Sequence, residues 1–329
     1  MGKSRRRALF DDTHGQANWS QTGFPSRELG SNFSGIAEAL VARDFECATL
    51  GPRRMADGTR HADLLILPPP TGGYDPVEEC WQPLPDTRLT AAEVEAILRF
   101  LADGGRLLAF AYRFGDSFTG ANLSDLFARL GCPLNNDAVF DVTRLREEHP
   151  LQLHFETRVD TIPLDWAATE LSTVCWRPTA TFRLIPGAAV APLVLSPGGR
   201  CIAFDRVQCR IRFQSLPIAV AGRRGQGRFV LFGGPHVFET GPFGLLAAAS
   251  NRRLLDNVLG WLLDDSGMVL PLTPSGASRS LSAAAPEDEL RALWEVDDVG
   301  PGRPMVAFVE QLLHETGILK ALGKPSWMP

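Results

Sequence analysis

The chain has 329 residues, of which 44% are hydrophobic and 22% are charged, and its formal net charge is -5. This composition is typical of a globular protein with enough apolar material for a sizeable core. The acidic balance argues against nucleic acid as a partner, because phosphate binding needs a concentrated basic surface. No run approaches the ~20 apolar residues that span a bilayer, and the basic N-terminus lacks the apolar stretch of a signal peptide. We therefore expect a cytoplasmic protein with no membrane partner.

The first predicted strand ends at Leu9 and Phe10, and a dense group of polar side chains follows it. Helical spacing resumes near Phe33, so residues 11–32 are predicted to form a long loop, a feature that is usually functional or disordered. Aromatic residues such as Trp19 give this loop apolar anchors that a disordered linker lacks. The loop supplies the candidate ligand-binding residues Asp11, Asp12, His14, Gln16, Asn18 and Trp19. The alternative is that Asp11, Asp12 and Asn18 only cap turns.

Strand and helix patterns then alternate, which predicts a mostly parallel sheet covered by helices. Ser34 is a candidate N-cap for the first helix, and strands are predicted at Phe45 and Leu64. Thr90 and Glu93 form a capping box that opens the next helix. A strand at 106–111 follows, and Tyr112 and Arg113 leave its carboxyl end, the edge at which open parallel sheets bind ligands. We expect His14 to lie close to Tyr112 or Arg113 at that edge.

The pattern of apolar and polar residues changes after Asn135. Short alternating runs with Pro and Gly between them predict a β-rich insert at about residues 140–218. Phe229–Phe232 reads as another core strand of the main domain, which we assign to residues 1–270, and the helix through Leu262 closes it. The next part of the chain, 271–286, is rich in Ser, Ala and Pro and is predicted to be a linker.

Residues 287–329 are predicted to form a helical tail of two short amphipathic helices. Helices this short are marginal alone, so they need a surface on which to dock, either on another protein subunit or on the parent domain. The second helix carries an apolar side formed by Val306, Val309, Leu312, Leu313 and Leu322. We expect this side to dock onto another protein subunit.

Several stretches together carry a family resemblance: residues 89–109, 122–127, 134–139, 227–236 and 251–262. They resemble the N-terminal domain of the intraflagellar-transport 52 type. That family also embraces a bacterial domain of unknown function and the accessory subunit of a gliding-motility ABC transporter. The resemblance extends from about Leu9 to Leu262. It implies a flavodoxin-like sheet of the class I glutamine amidotransferase type, in a non-catalytic version that binds a ligand or partner.

Catalysis of the amidotransferase kind needs a cysteine at the turn after the central strand. This chain has Ala111-Tyr-Arg-Phe-Gly115 there, without a thiol. The sequence therefore favours a non-enzymatic protein, although a divergent amidotransferase-like enzyme stays open. Another alternative is a metal-assisted hydrolase in which Asp11, Asp12, His14 and His236 converge above the sheet. Against it, the chain has no H-E-x-x-H motif, and its six cysteines show no C-x-x-C pair or zinc spacing, so we expect no metal and no cofactor.

A binding site needs fewer specific groups than an active site. Aromatic surface with a few convergent polar groups is enough. Besides the loop residues given above, the candidates are Tyr112, Arg113, Asn135, Asn136, Asp137 and His236. Two alternatives stay open: residues 135–137 hold a strand-entry turn, and Arg113 forms a surface salt bridge. The leading hypothesis is a scaffold subunit of a bacterial-type multiprotein system. It binds a small polar ligand or a protein at the carboxyl edge of the sheet and docks through its C-terminal helices.

Overall fold

The computed structural model describes residues 6–14, 32–50, 55–70, 73–75, 80–82, 88–141, 155–198, 201–205, 207–208, 210–212, 214–241 and 244–264. The predictions for Gln16, Asn18 and Trp19, for the linker at 271–286 and for the docking residues of the tail at 287–329 lie outside these residues. Among the described helices, none has the length and apolar character needed to span a membrane.

The described strands, in chain order, are β1 (Arg6–Phe10), β2 (Phe45–Thr49), β3 (Leu64–Leu67), β4 (Gly73–Asp75), β5 (Cys80–Gln82), β6 (Arg106–Phe110), β7 (Asp137–Asp141), β8 (Phe155–Arg158), β9 (Thr173–Trp176), β10 (Val190–Leu195), β11 (Cys201–Asp205), β12 (Arg210–Arg212), β13 (Pro217–Arg224) and β14 (Gly227–Phe232). The helices are α1 (Ser34–Val41), α2 (Met55–Thr59), α3 (Ala91–Ala102), α4 (Asp116–Thr119), α5 (Leu123–Arg129), α6 (Asp165–Ala168) and α7 (Ala249–Leu263). A single 3-10 turn at Val159–Thr161 completes the described elements.

The central sheet has seven strands in the order β10-β13-β14-β6-β3-β1-β2. Its five strands from β14 to β2 are parallel, and β13 and β10 add to the β14 edge in antiparallel pairing. Counted along the chain, the parallel strands follow the order 2-1-3-4-5, which is the order of flavodoxin-like sheets. The predicted mostly parallel sheet is thus confirmed, and β6 is its middle strand.

Both faces of this sheet are covered, which explains why its strands are apolar almost throughout. On β6, Leu108 and Phe110 enter the core that includes residues of α1 and α7, such as Ile36 and Leu259. Leu107 enters the opposite core with residues of α3 and α5. The alternation of side chains along a strand therefore feeds two separate layers of packing.

The N-termini of two helices were predicted from the sequence, one correctly and one not. Thr90 caps α3 through the predicted capping box, because its hydroxyl accepts from the Glu93 backbone and Glu93 accepts from the Thr90 backbone. The expected N-cap role of Ser34 is wrong: Ser34 is the first residue of α1, and its backbone N–H is bound by the side chain of Asn32 at 2.9 Å. The N-cap is Phe33, and Asn32 before it is held by a β-bridge to Thr240, so the start of α1 depends on a contact distant in sequence.

Six strands, β7 to β12, lie in the region predicted to be β-rich. Strands β12, β11 and β7 form a three-stranded sheet, and β8 pairs with β9. Strand β10 instead joins the edge of the central sheet through β13. Asn251 of α7 ties β9 to the main body, because its fully buried side chain bonds both the N–H and the C=O of Cys175 at 2.9 Å.

Candidate functional site

Strands β1, β3, β6 and β14 run in the same direction, so the segments that follow them emerge at one edge of the sheet. The point between β1 and β3 is the topological switch point of this strand order, where the chain leaves for opposite sides of the sheet. Two groups of polar and aromatic side chains lie at the carboxyl edge. We name them the β1 cluster (Asp11, Thr13, His14 and Glu93) and the β6 cluster (Tyr112, Arg113, Phe118, His236 and Glu239).

The β1 cluster is held by the turn after β1 and by the first turn of α3. His14 is 4% exposed and its Nδ1 lies 2.6 Å from Oδ2 of Asp11, which is 1% exposed. The other oxygen of Asp11 accepts from the backbone and hydroxyl of Thr13 at 3.0 and 2.7 Å. Nε2 of His14 faces Oε2 of Glu93 at 3.4 Å. Glu93, which completes the capping box of α3, therefore also contacts a residue at the switch point.

Electrostatics decide the charge of His14. Burial lowers the pKa of His14, but the hydrogen bond and charge of Asp11, together with the charge and hydrogen bond of Glu93, outweigh burial and raise the pKa above its ordinary value. The two carboxylates thus favour an imidazolium. A ring that faces a carboxylate on both nitrogens is arranged as an ionic clamp between β1 and α3, not as a proton acceptor for a substrate.

The β6 cluster joins the turn after β6 to the segment after β14. The rings of Tyr112 and Phe118 stack with centroids 5.8 Å apart, and His236 meets Tyr112 edge-on at 5.6 Å. Nδ1 of His236 lies 2.7 Å from Oε2 of Glu239. The guanidinium carbon of Arg113 lies 5.0 Å from the Tyr112 ring centroid and 5.6 Å from that of Phe118. Aromatic surface and polar groups converge here, as a ligand site requires.

The Tyr112 hydroxyl stays protonated in this setting and can donate a hydrogen bond. Burial raises its pKa; Arg113 opposes that shift, Glu239 adds to it, and Arg177 opposes it, and the pKa remains raised. A phenol held protonated is a poor nucleophile and a good hydrogen-bond donor. His236, by contrast, has its Nδ1 oriented by Glu239, and its Nε2 makes no hydrogen bond within the described part of the chain.

The turn between β6 and α4 has a strained backbone. Phe114 has φ of 63° and Gly115 has φ of 55°, in the left-handed region that an aromatic residue seldom adopts. At Gly115 a Cβ would lie 2.7 Å from the carbonyl oxygen of Asn135, so no larger residue fits. The Phe114 side chain is fully buried and packs against Phe140 and Phe204. This sharp strand-to-helix turn thus presents an apolar ring to the core.

The three predicted site residues at 135–137 all have intramolecular partners. Asn135 donates to the hydroxyl of Thr181 at 2.8 Å, and Asn136 accepts from the backbone N–H of Ser117 at 3.2 Å. Asp137 is fully buried, accepts from the backbone and hydroxyl of Thr181, and pairs with Arg212. These contacts match the alternative of a structural turn at the start of β7.

The structure divides the predicted site residues into these groups. His14 and Asp11 come together, with the half-buried Asp12 in the same turn, and Tyr112 comes together with Arg113 and His236. His14 contacts Thr13, Asp11 and Glu93, and β3 lies between β1 and β6 in the sheet; the expected approach of His14 to Tyr112 or Arg113 stays a prediction. Within the described ranges, no group of three or more His, Cys, Asp or Glu side chains is arranged to hold a metal ion.

Four residues of these clusters were not predicted as site residues, and Thr13 is one of them, with no role assigned. Glu93 was assigned only its local capping role, and Phe118 and Glu239 received no role. The spacing His236-x-x-Glu239 was a usable signal, since a carboxylate three residues after a histidine can orient its ring. The contact between Glu93 and His14 had no local signal, because 79 residues of sequence separate them and only the sheet brings them together.

A cavity of about 390 Å³ lies at the opposite, amino edge of the sheet, between α2 and α3. Its lining combines charges of both signs, with Arg60 and Arg99 against Asp63 and Asp103. Ligands of open α/β sheets bind at the carboxyl edge. The cavity therefore does not displace the two clusters as the candidate site.

The chain shares the fold of a solved structure described as the mmIFT52 N-terminal domain. The two align with a TM-score of 0.58 and 19% sequence identity over 78% of this chain and 97% of that one. A ThuA-like protein from Bacteroides uniformis aligns over 81% of this chain and 96% of its own at 13% identity, with a TM-score of 0.42. A cytoplasmic protein from Salmonella typhimurium aligns over 78% and 99% at 12% identity, also with a TM-score of 0.42. No family model and no curated protein matches the chain.

Proposed function

We propose that this protein is a non-enzymatic binding and scaffold subunit with a class I glutamine amidotransferase-like core. The core binds a small polar ligand or a protein at the carboxyl edge of the sheet, and the C-terminal helices dock onto another subunit of a bacterial-type multiprotein system. The family of the intraflagellar-transport 52 type is the one whose fold and non-catalytic character fit best. The shared fold with the IFT52 N-terminal domain supports this assignment.

The observation that carries the proposal is the turn after β6. An enzyme built on this fold needs a thiol or hydroxyl nucleophile on a strained strand-to-helix turn. The strain is present at Phe114 and Gly115, but the residues there are Tyr112, Arg113 and a buried phenylalanine. The Tyr112 phenol, with its raised pKa, does not replace a cysteine thiolate. The geometry of a nucleophile turn is therefore used to present binding groups.

The second candidate function is a divergent amidotransferase-like or hydrolytic enzyme. One observation favours it: Glu239 orients the ring of His236 and leaves Nε2 without a hydrogen bond to a described residue. A histidine oriented by a carboxylate is the usual general base of acyl-transfer enzymes. The metal-assisted version has less support. His14 is placed between the carboxylates of Asp11 and Glu93, whereas His236 lies in the other cluster, against Tyr112.

Hydrolysis assays separate the two functions. We expect the purified full-length protein to release ammonia from L-glutamine and nitrophenol from p-nitrophenyl acetate no faster than its His236→Ala variant. The reason is that no hydrogen bond joins Nε2 of His236 to a thiol or hydroxyl of a described residue. A rate that rises with protein concentration and is lost in His236→Ala would contradict the proposal and establish the enzyme. His61→Ala is the matched control, because His61 is exposed at the other edge of the sheet.

A further inference from the structure

Arg113 carries a charge that the described protein does not neutralise. It leaves the carboxyl end of β6, the middle strand, and its guanidinium rests against the rings of Tyr112 and Phe118. Its Nε is buried and has no hydrogen-bond acceptor among the residues that the structure describes. No ion pair joins Arg113 to a carboxylate of a described residue, since the nearby Glu239 binds His236. Arg113 is half-buried, so water reaches part of its guanidinium, but the buried Nε donor and the unpaired charge favour an anion from outside.

A buried Nε without an acceptor among the described residues is not peculiar to Arg113, since Arg7 and Arg212 share it, but other partly buried arginines have partners that Arg113 lacks. Arg43 pairs with Asp256 at 2.7 Å, Arg212 pairs with Asp137, and Arg106 donates to the carbonyl oxygens of Gly104 and Leu262. The buried Nε of Arg7 also lacks an acceptor among the described residues, but Arg7 lies at the amino edge of the sheet. There the backbone N–H of Arg7 donates to the carboxylate of Asp63 at 2.7 Å. Arg113 differs in lying at the ligand-binding edge against aromatic rings.

The surroundings of Arg113 favour an anion. Arg113 and Arg177 both lower the pKa of Tyr112 and Glu239 raises it, so the charges of both arginines act at this hydroxyl. The hydroxyl of Tyr112 stays protonated and can donate a hydrogen bond. Stacking on Tyr112 and Phe118 restricts the planar fork of Arg113, which is the geometry that binds carboxylate and phosphate groups with two hydrogen bonds.

From this geometry we infer that the β6 cluster is the binding site for a small molecule that carries a carboxylate or phosphate group. Arg113 binds the oxyanion, the Tyr112 hydroxyl donates to it, and Arg177 adds positive potential. The inference rests on the proposed ligand-binding function and names the chemical class of the ligand. It assigns to Arg113 the role of an anion receptor. In the absence of the anion, we expect Arg113 to contribute little to the free energy of unfolding.

The test measures thermal unfolding and calorimetric binding of the full chain with sodium succinate and with inorganic phosphate, each against sodium chloride of equal ionic strength. We expect at least one of the two anions to raise the melting temperature of the wild type with a saturable dependence on concentration. The anion that saturates at lower concentration identifies the carboxylate or the phosphate as the recognised group. In Arg113→Met the saturable shift is lost, and in Arg113→Lys its midpoint moves to at least tenfold higher concentration.

Arg60→Met is the matched control, because it removes an equal charge from an exposed position at the opposite edge, and it should keep the shift. Without anion, Arg113→Met should keep or raise the melting temperature, because methionine covers the rings and removes the unsatisfied donor. Equal shifts in wild type and Arg113→Met, no saturable shift, or a large loss of stability in Arg113→Met would each overturn the inference. Hydrolysis that needs His236 but coexists with anion binding at Arg113 would overturn only the non-enzymatic proposal.

Discussion

His14 shows how one residue can link two elements through charge. Its ring lies between a fully buried carboxylate, Asp11, and the partly exposed carboxylate of Glu93. Because its pKa is raised in the folded protein, folding takes up a proton at pH values between the ordinary value of 6.5 and the raised one. The stabilisation from His14 is therefore complete below that ordinary value and is lost as the pH rises through the folded pKa.

This pH dependence of the free energy of unfolding gives a prediction for His14→Gln. We expect the variant to be less stable than the wild type by about 2 kcal/mol at pH ~5.5, the usual contribution of hydrogen bonds to charged groups, and the difference to shrink at pH ~9. Urea unfolding at both pH values measures it. His61→Gln, an exposed histidine, should show no such difference. An equal loss at both pH values would mean that His14 is neutral in the folded protein. Loss of ligand binding without loss of stability would instead favour the expected role of His14 as a ligand contact.

At the scale of elements, side chains distant in sequence hold the sheet and its attachments together. Asn251 is the clearest example, because the amide of one helical residue serves strand β9 and the segment after β14. It accepts from Cys175 N–H and donates to the carbonyl oxygens of Cys175 and Val237 at 2.9 and 3.1 Å. Asparagine is a poor helix former, so its position in α7 is explained by these three bonds rather than by propensity.

We expect Asn251→Ala to lower the free energy of unfolding by roughly 2–4 kcal/mol, because it leaves buried backbone groups of two segments without partners. Chemical denaturation of the full chain measures the change. The neighbouring exposed Arg252→Ala should stay within about 0.5 kcal/mol of the wild type. If Asn251→Ala is as mild as Arg252→Ala, water replaces the amide and the attachment of β9 does not depend on it.

For the whole molecule, the proposed docking of the C-terminal tail is the decisive question. We expect simultaneous Leu312→Asp and Leu313→Asp to abolish the partner complex or the protein's own oligomeric state in size-exclusion chromatography at low concentration. Two charges would then stand in the centre of the predicted apolar side, and each buried unpaired charge costs several kcal/mol, roughly 3–5. The melting transition of the core should not change.

The control for the tail is Gln311→Asp with His314→Asp, which adds the same number of acidic side chains away from the arc of Val306, Val309, Leu312 and Leu313 and should keep the complex. Retention of the complex by the Leu312 and Leu313 variant would exclude docking through this helix. Loss of the core's melting transition would show that the helix packs on its own domain. Limited proteolysis within 271–286, followed by a test of whether the tail stays bound, distinguishes the same two arrangements.

The parallel core was predictable from the sequence because its signals are local. Strand β6 is a continuous apolar run, and the Thr90 and Glu93 capping box marks the start of α3 within a few residues. The start of α1 was not predictable from Ser34, because Phe33 is its N-cap and the first N–H donates to Asn32, which is bridged to Thr240. Likewise, residues 135–137 gave a polar pattern that fits both a site and a turn, and only their bonds to Thr181 and Ser117 distinguish the two.

The sequence by itself determined the alternation of strands and helices and the absence of a thiol after β6, because periodicity and residue identity are properties of contiguous segments. The tertiary structure alone decided that His14 faces Glu93, that Glu239 orients His236, and that Arg113 rests on Tyr112 and Phe118. Two of these contacts join residues of the same local segment, yet their burial and charge balance depend on the sheet around them. Whether a polar residue is satisfied is set by neighbours that only folding brings within hydrogen-bond distance.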